Sequence, residues 1–316
     1  MSTSLVYVLV TCTALFWGLS FHVGKLILGS VGPLTAVALR FVIASLALLP
    51  VTLLRQRHVW AQLCAHAPAF LFLGIVGVSG FNVLLFFGLQ FTSPVNGAMI
   101  MSTNPLLVVA MARLLLGERM GLEQQVGGIL CLVGVLTVIT GGELQALTEL
   151  RANPGDVLIL AANACWALYT VLVRRWLTAV PPLLITTATV LVSALFVGLV
   201  ALWEVPRVSL TALPAAAWGG LTFLGIAGSA LAYLFWNLGI QVLGAPRTSI
   251  FFNLVPLFTT LCSLLLGESL RLSQLVGGAV AIVGVLLSSR SPHQPQVMPA
   301  VSSCAVLDLP GAGRPK

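Results

Sequence analysis

The stretch from Leu114 to Leu136 reads LLLGERMGLEQQVGGILCLVGVL, and it returns from Leu264 to Leu286 as LLLGESLRLSQLVGGAVAIVGVL. Without a gap the copies agree at about 14 of 23 positions, the self-similarity that marks an internal repeat. Further pairs fall at a similar offset. Gly88-Leu-Gln90 answers to Gly239-Ile-Gln241, Pro105 to Pro256, and Trp17 and Lys25 to Trp166 and Arg174. The chain is a duplication, so its fold must be assembled from two like modules.

Each module is made of runs of about 20 apolar residues, the length that crosses a bilayer as a helix. The chain is 59% hydrophobic and 7% charged, with a mean hydropathy of +1.07. No water-soluble domain carries so little charge. Alternating strand patterns are absent, which argues against a β-barrel. The expected fold class is therefore an all-α integral membrane protein.

Ten membrane helices are predicted. The first half gives Leu5–Leu28, Pro33–Leu54, Ala67–Gln90, Pro94–Leu116 and Gln124–Thr140. The second gives Gly155–Leu177, Pro182–Trp203, Pro214–Val242, Pro246–Leu266 and Gln274–Ser288. Pro33, Pro94, Pro182, Pro214 and Pro246 open helices, where a missing N–H costs nothing. The organisation follows: a first repeat over 1–141, a connecting loop over 142–154, a second repeat over 155–289 and a disordered tail over 290–316, rich in Pro, Ser and Gly. Residues Met1 to Ser4 carry no basic segment, so the first apolar run reads as a retained helix and not as a signal peptide.

Five helices per module is an odd number, so the second module enters the membrane upside down. Two inverted five-helix repeats around a central cavity are expected. With the N-terminus inside, Arg55, Arg57, Arg113, Arg119, Arg174, Arg175, Arg247, Arg290, Arg314 and Lys316 fall in the cytoplasm, against Arg151, Arg207 and Arg271 outside. The positive-inside bias thus places both termini in the cytoplasm.

Arg40 is the sharpest chemical signal. It lies about a third of the way along the second helix, where a charge costs roughly 2.5–3.5 kcal/mol on insertion scales. No acidic residue is predicted deep enough to pair with it. Either it snorkels to the headgroups, or it meets backbone carbonyls, cavity water or a ligand anion. His22 and Lys25, at i and i+3, share a face of the first helix. His22 is the one intramembrane side chain expected to titrate near neutral pH. With Arg40 they would make the outer half of a cavity electropositive and favour a carboxylate-bearing small molecule.

Pro105 and Pro256 fall mid-helix, where each frees a backbone carbonyl. Matched breaks in two halves point to a midplane binding site. Asn104 directly precedes the first proline, and Asn253 lies one turn before the second. Trp17, Trp166, Tyr169, Tyr233, Trp236 and Asn237 sit within spans and suit a partly wet cavity, although each also fits plain packing. Asn82, Asn96, Asn163, Gln90 and Gln241 either line a path or bond between helices. Gly74, Gly77 and Gly80, with Gly225 and Gly228, put small residues on one face. Gly127/Gly134 and Gly277/Gly284 form seams that read as buttresses or a homodimer face. Glu118 and Glu268 stand between helices and are expected to bond free N–H groups of the next one.

Several classes drop out. The 15 Lys and Arg are scattered at segment ends, as topology dictates, so nucleic acid is not an expected partner. The six cysteines show no metal spacing, and no cofactor is implied. There is no G-x-x-x-x-G-K-[ST] loop for ATP. An intramembrane enzyme would need paired acids, a nucleophile with its base, or metal ligands at depth, and none is found. A lipid-binding or assembly subunit remains a rival, although it would not need matched proline breaks or a buried arginine.

Taken together, Trp17-Gly18 followed by Phe21 and Lys25, Arg40-Phe41, Asn104-Pro105, the doubled Leu-Gly-Glu with Val-Gly-Gly, Trp166-Ala167, Tyr169 and Arg174-Arg175 resemble the EamA-like branch of the drug/metabolite transporter superfamily. The resemblance covers about Leu5 to Ser289. It implies ten helices in two inverted repeats around a central cavity, and export of small metabolites, often amino acids or their derivatives, across a bacterial inner membrane. Two departures stand out. The counterpart of Arg40 is near Thr189, so the cavity should be electrostatically lopsided. The membrane-embedded glutamate that small multidrug relatives carry in their first helix is missing.

Overall fold

In the computed structural model, residues 2–56, 59–116, 122–139, 142, 153–204 and 213–288 are described, and they form helices and turns. The long helices are α1 (Thr3–Ile27), α2 (Pro33–Arg55), α3 (Ala67–Phe91), α4 (Pro94–Leu115), α5 (Leu122–Ile139), α6 (Pro154–Trp176), α7 (Pro182–Ala201), α8 (Ala215–Leu243), α9 (Ala245–Leu265) and α10 (Leu272–Ser288). Their ends lie within two residues of the expected ones. A short helix, Val59–Ala65, precedes α3. All but α5 and α10 are long and apolar enough to cross a membrane, eight in total among the described residues. Most of the connecting loop (143–152), the segment around Glu118 and the tail from Ser289 lie outside the described residues.

Local chemistry sets the helix ends. Pro33, Pro94, Pro182 and Pro246 occupy the first turns of their helices, whereas Pro214 is the residue just before α8. Ser93 accepts a hydrogen bond from Asn96 N, and Asn153 from Gly155 N, so each satisfies an orphan donor. Gly244 (φ +87°) and Gly267 (φ +77°) make the turns before and after α9, in a region of backbone space that other residues enter at a cost. Glu204, just past α7, caps α2: its carboxylate accepts from Thr35 N at 2.9 Å and Thr35 Oγ1 at 3.1 Å.

Two pairs of helices are irregular at matched places. In α3 the turns over Leu73–Gly80 are widened to π geometry, and in α8 those over Ile226–Leu231. Ser79 Oγ bonds to Gly74 O and Ser229 Oγ to Leu224 O, each five residues back. In α4 the helix stops at Met101 and restarts at Asn104; in α9 it stops at Ile250, passes through one 3₁₀ turn and restarts at Leu254. Pro105 and Pro256 enforce these breaks, as expected, since neither can donate back to the preceding turn.

The packing pairs each helix with its sequence counterpart or with a matched neighbour. α2 lies against α7, α5 against α10, α1 against α8 and α9, and α6 against α3 and α4. α2 and α7 run antiparallel: Thr52 near the end of α2 meets Thr187 near the start of α7, Oγ to Oγ at 2.6 Å, while Glu204 reaches the start of α2. Outward faces are apolar. Leu46, Leu54, Leu195, Leu199 and Leu265 are each more than 60% exposed, as suits contact with lipid chains.

The glycine seam, expected to be a buttress or a homodimer face, packs within the chain. Gly127, Gly134, Gly277 and Gly284 are all buried within one chain. A methyl group on Gly134 would stand 2.5 Å from Gly277 O and from Ala281 N. The seam therefore joins α5 to α10, where only hydrogen side chains let two backbones approach so closely.

Candidate functional site

The middle of the bundle is not the open cavity expected from the sequence. Aromatic rings fill it. Trp17 meets Trp166 edge to face with centroids 5.3 Å apart, Trp236 at 5.1 Å and Phe252 at 5.1 Å. Trp166 stacks on Tyr169 at 4.8 Å and lies 5.0 Å from Tyr233. Most of their polar tips bond between helices. Trp17 Nε1 donates to Gly228 O at 3.1 Å, Trp236 Nε1 to Thr170 Oγ1 at 3.3 Å, and Tyr169 Oη to Asn237 Oδ1 at 3.0 Å. All these rings face protein, none lipid. The space left is a cavity of about 20 Å³ beside Trp17, Ser20, Arg40, Phe86, Met101 and Phe252, room for about one water molecule.

Arg40 borders that cavity. It is 3% exposed, so it does not snorkel to the surface. Its Nε donates to Ser229 Oγ at 2.9 Å, Nη1 to Asn82 Oδ1 at 2.9 Å and Nη2 to Gly228 O at 3.2 Å. The rings of Phe41 and Phe86 lie 5.4 and 5.7 Å from its central carbon, within cation–π range. Among the described residues no carboxylate pairs with it. Three of its five N–H groups are thus engaged by neutral partners, and its charge is solvated but not cancelled. Asn82 is held in turn: its amide nitrogen donates to Val78 O and to Tyr233 Oη, both at 2.8 Å. In the matched half, Thr189 replaces the guanidinium with a hydroxyl bonded to its own helix at Ile185 O. The centre is electrostatically one-sided.

The breaks in α4 and α9 sit next to this cavity, through Met101 and Phe252. Asn104 Nδ2 donates to Asn163 Oδ1 at 2.7 Å, and Asn163 Nδ2 to Thr103 Oγ1 at 2.7 Å. Thr103 Oγ1 also donates to Ile100 O at 2.8 Å, a carbonyl in the turn before Pro105. Asn104 Oδ1, both side-chain polar atoms of Asn253 and Trp166 Nε1 are buried without a hydrogen-bond partner among the described residues. Buried polar atoms are seldom left so, and these belong to residues of, or next to, the two broken helices.

His22 and Lys25 do not join Arg40, contrary to expectation. They line a separate vestibule of about 790 Å³ at the end of the bundle where α1 stops and α10 begins, with Thr92, Asn96, Glu268, Arg271 and Gln274. Lys25 Nζ donates to the carbonyls of Leu89, Gln90 and Thr92, a cation closing the C-terminal end of α3. Asn96 bonds α4 to α10 through Gln274, at 2.6 Å. Gln241 donates to Val180 O. Glu268 does not cap the next helix: its carboxylate accepts from Ser263 Oγ at 2.6 Å and lies 3.8 Å from His22 Nε2. At the start of α10 it is Gln274 whose Oε1 accepts from Arg271 N, at 2.9 Å.

Ser229, Ser20, Met101, Phe86 and Phe252 escaped the sequence reading. One signal for Ser229 was present. Leu73-Gly-Ile-Val-Gly and Leu224-Gly-Ile-Ala-Gly are copies, each followed at once or one residue later by a serine, and those serines support the widened turns of α3 and α8.

The chain matches the EamA-like transporter family twice, over residues 4–140 and 153–290. It is 38% identical over 284 residues to a Bacillus subtilis protein named uncharacterized transporter YyaM, covering 90% of this chain and 93% of that one. An uncharacterized transporter of Archaeoglobus fulgidus is 26% identical over 90% of this chain and 98% of its own length. A solved crystal structure superposes with a TM-score of 0.66 at 20% identity, over 91% of this chain and 98% of the other, a likeness of fold. With its membrane-length helices and these relatives, the chain is a multi-pass membrane protein that belongs to the EamA-like transporter family.

Proposed function

We propose that the protein is a secondary transporter of a bacterial inner membrane that exports small carboxylate-bearing metabolites, such as amino acids or their derivatives, by alternating access. In this reading α5 and α10 complete ten spans, and the two five-helix repeats are inverted about an axis through the Trp17–Trp166 contact. The antiparallel pairing of α2 with α7 supports the inversion. Both termini lie in the cytoplasm. Among the described residues, Arg55, Arg113, Arg174, Arg175 and Arg247 stand at helix ends away from the vestibule, which supports that orientation.

The observation that carries the proposal is the guanidinium of Arg40. It is buried at the aromatic centre, held by an amide, a hydroxyl and a carbonyl, and left with unused donors and an uncancelled charge. A substrate carboxylate supplies what the protein does not. Transport is assigned here, and catalysis is not.

Proteoliposomes loaded with a mixture of labelled carboxylates test this. Wild-type protein should carry at least one of them faster than empty vesicles. Arg40→Ala should lower that flux by about tenfold or more, the worth of a charge-assisted bond. Normal flux in a folded Arg40→Ala variant would overturn the site assignment; no flux of any metabolite in the wild type would overturn the function.

A further inference from the structure

The seam between α1 and α9 and its counterpart between α6 and α4 are built from opposite chemistry. Along α6–α4, beyond the Asn104–Asn163 pair, the packed residues are Ala167, Val171, Val108 and Ala112, all buried and apolar. The matching places along α1–α9 hold Gly18, His22, Thr259 and Ser263. Thr259 Oγ1 donates to Gly18 O at 3.1 Å. One turn further, His22 Nε2 lies 2.7 Å from Ser263 Oγ, which donates to Glu268 Oε2 at 2.6 Å. The His22 side chain is 8% exposed and that of Glu268 49%. This polar row ends at the vestibule; the apolar seam lies toward the opposite end of the bundle.

Hydrogen bookkeeping fixes how the row works. Ser263 has one hydroxyl hydrogen and gives it to the carboxylate, so His22 Nε2 must carry a hydrogen and donate to Ser263 Oγ. Nδ1 is then the atom that takes or loses a proton, and it has no side-chain or backbone partner in hydrogen-bond geometry among the described residues. Protonation breaks no bond of the row. It places a positive charge opposite Glu268, in the turn after α9, across 3.8 Å, and so adds an attraction across the seam. The other charged and titratable groups around His22 are Lys25 on its own helix, engaged by carbonyls of α3 and its following turn, and Cys262 and Arg271 on α9 and the turn after it. α3 and α4 present Gln90 and Asn96 to the vestibule, and the turn between them presents Thr92. From α8, Tyr233 lies deeper, beside Trp17.

We propose that His22, Ser263 and Glu268 form a proton-operated latch across the α1–α9 seam, tightening the vestibule end on acidification, while the α4–α6 seam, packed through apolar side chains and neutral amides, is indifferent to pH. The latch regulates the access path of the transporter reading and rests on it for its purpose, but its motion is measurable without any substrate.

The test is a pair of distance measurements by pulsed electron paramagnetic resonance on full-length protein in lipid nanodiscs, with native cysteines replaced by serine. One pair of spin labels replaces Leu26 and Leu266, 66% and 63% exposed at the vestibule. A control pair replaces Leu114 and Trp176, 81% and 41% exposed at the far end. Between about pH 8 and about pH 4.5, a range that extends well below the ordinary histidine value, the short-distance population of the vestibule pair should rise about threefold, the worth of a half-exposed ion pair. The control pair should not move. His22→Gln and Ser263→Ala should each abolish the response. A vestibule distance insensitive to pH, the same response in His22→Gln, or a parallel shift of the control pair would overturn the latch. Flux assays on the same samples test the transporter reading separately, because distances that respond as stated with no flux of any solute would fail that reading alone.

Discussion

Trp17 and Trp166 occupy the same place in the two halves of the sequence, and their rings meet edge to face at 5.3 Å. They differ in what their indole N–H groups find. Trp17 Nε1 donates to Gly228 O, while Trp166 Nε1 has no partner among the described residues. Replacing either with phenylalanine removes similar packing, but only the first breaks a hydrogen bond. Trp17→Phe should therefore destabilise the protein by about 1 kcal/mol more than Trp166→Phe, read as the difference in their thermal unfolding in detergent. Equal losses would show that the hydrogen bond contributes nothing.

Asn82 offers a direct test of the uncancelled charge. Its Oδ1 accepts from Arg40 at 2.9 Å, so Asn82→Asp would set a carboxylate against the guanidinium in nearly the same volume. Carboxylate flux should fall about tenfold or more, because the protein then supplies the anion itself. The variant gains an ion pair but loses the amide donor to Val78 O, so the melting temperature is measured alongside to show that it folds. Flux at the wild-type level would mean that Arg40 meets no anion.

Gly225 and Gly198 form a contrasting pair. A methyl group on Gly225 would stand 2.6 Å from Ile43 Cγ2 and 2.9 Å from Arg40 O, whereas one on Gly198 meets nothing within 4 Å. Gly225→Ala should cost about 1–3 kcal/mol through overpacking. Gly198→Ala should be neutral or stabilise by up to about 1 kcal/mol, the ordinary helix preference for alanine. Thermal unfolding of the two variants reads both.

The internal seam of α5 and α10 makes its own prediction. Gly134→Leu should lower the melting temperature by several degrees, since about 1–3 kcal/mol is lost when a side chain is forced between touching backbones. Light scattering on the detergent-solubilised protein should give the same mass before and after. A change of mass would point to an outward role for this face.

Glu204 joins the end of α7 to the start of α2 through Thr35. Glu204→Ala should cost about 0.5–2 kcal/mol, as for a lost helix cap. Glu204→Gln should cost less, because an amide oxygen still accepts from Thr35 N. Urea unfolding of the three forms gives the order.

The helices were legible because membrane helices are bounded by length, by proline at their first turn and by glycine or short polar turns after them. α7 shows the limit of that logic: the apolar run continues to Trp203, but the helix closes at Ala201 so that Glu204 can reach Thr35. The breaks at Pro105 and Pro256 were legible for a covalent reason. What escaped was pairing across the bundle. Nothing in the local sequence says that Ser229 meets Arg40, or that Glu268 turns back to Ser263 and not forward to α10. The filled centre was hidden for the same reason: polar-tipped aromatics line a cavity or plug one, and only their mutual distances decide.

The contact of Gly225 with the main chain of α2 has a mechanical consequence. α8 is 29 residues long, about 44 Å, and this contact lies about 15 Å from one end and about 27 Å from the other. A tilt of about 10° about that point would carry the two ends through about 2.6 and about 4.7 Å in opposite directions. The carbonyl it rests on is that of Arg40, so the charged residue stands at the fulcrum of the lever and travels least.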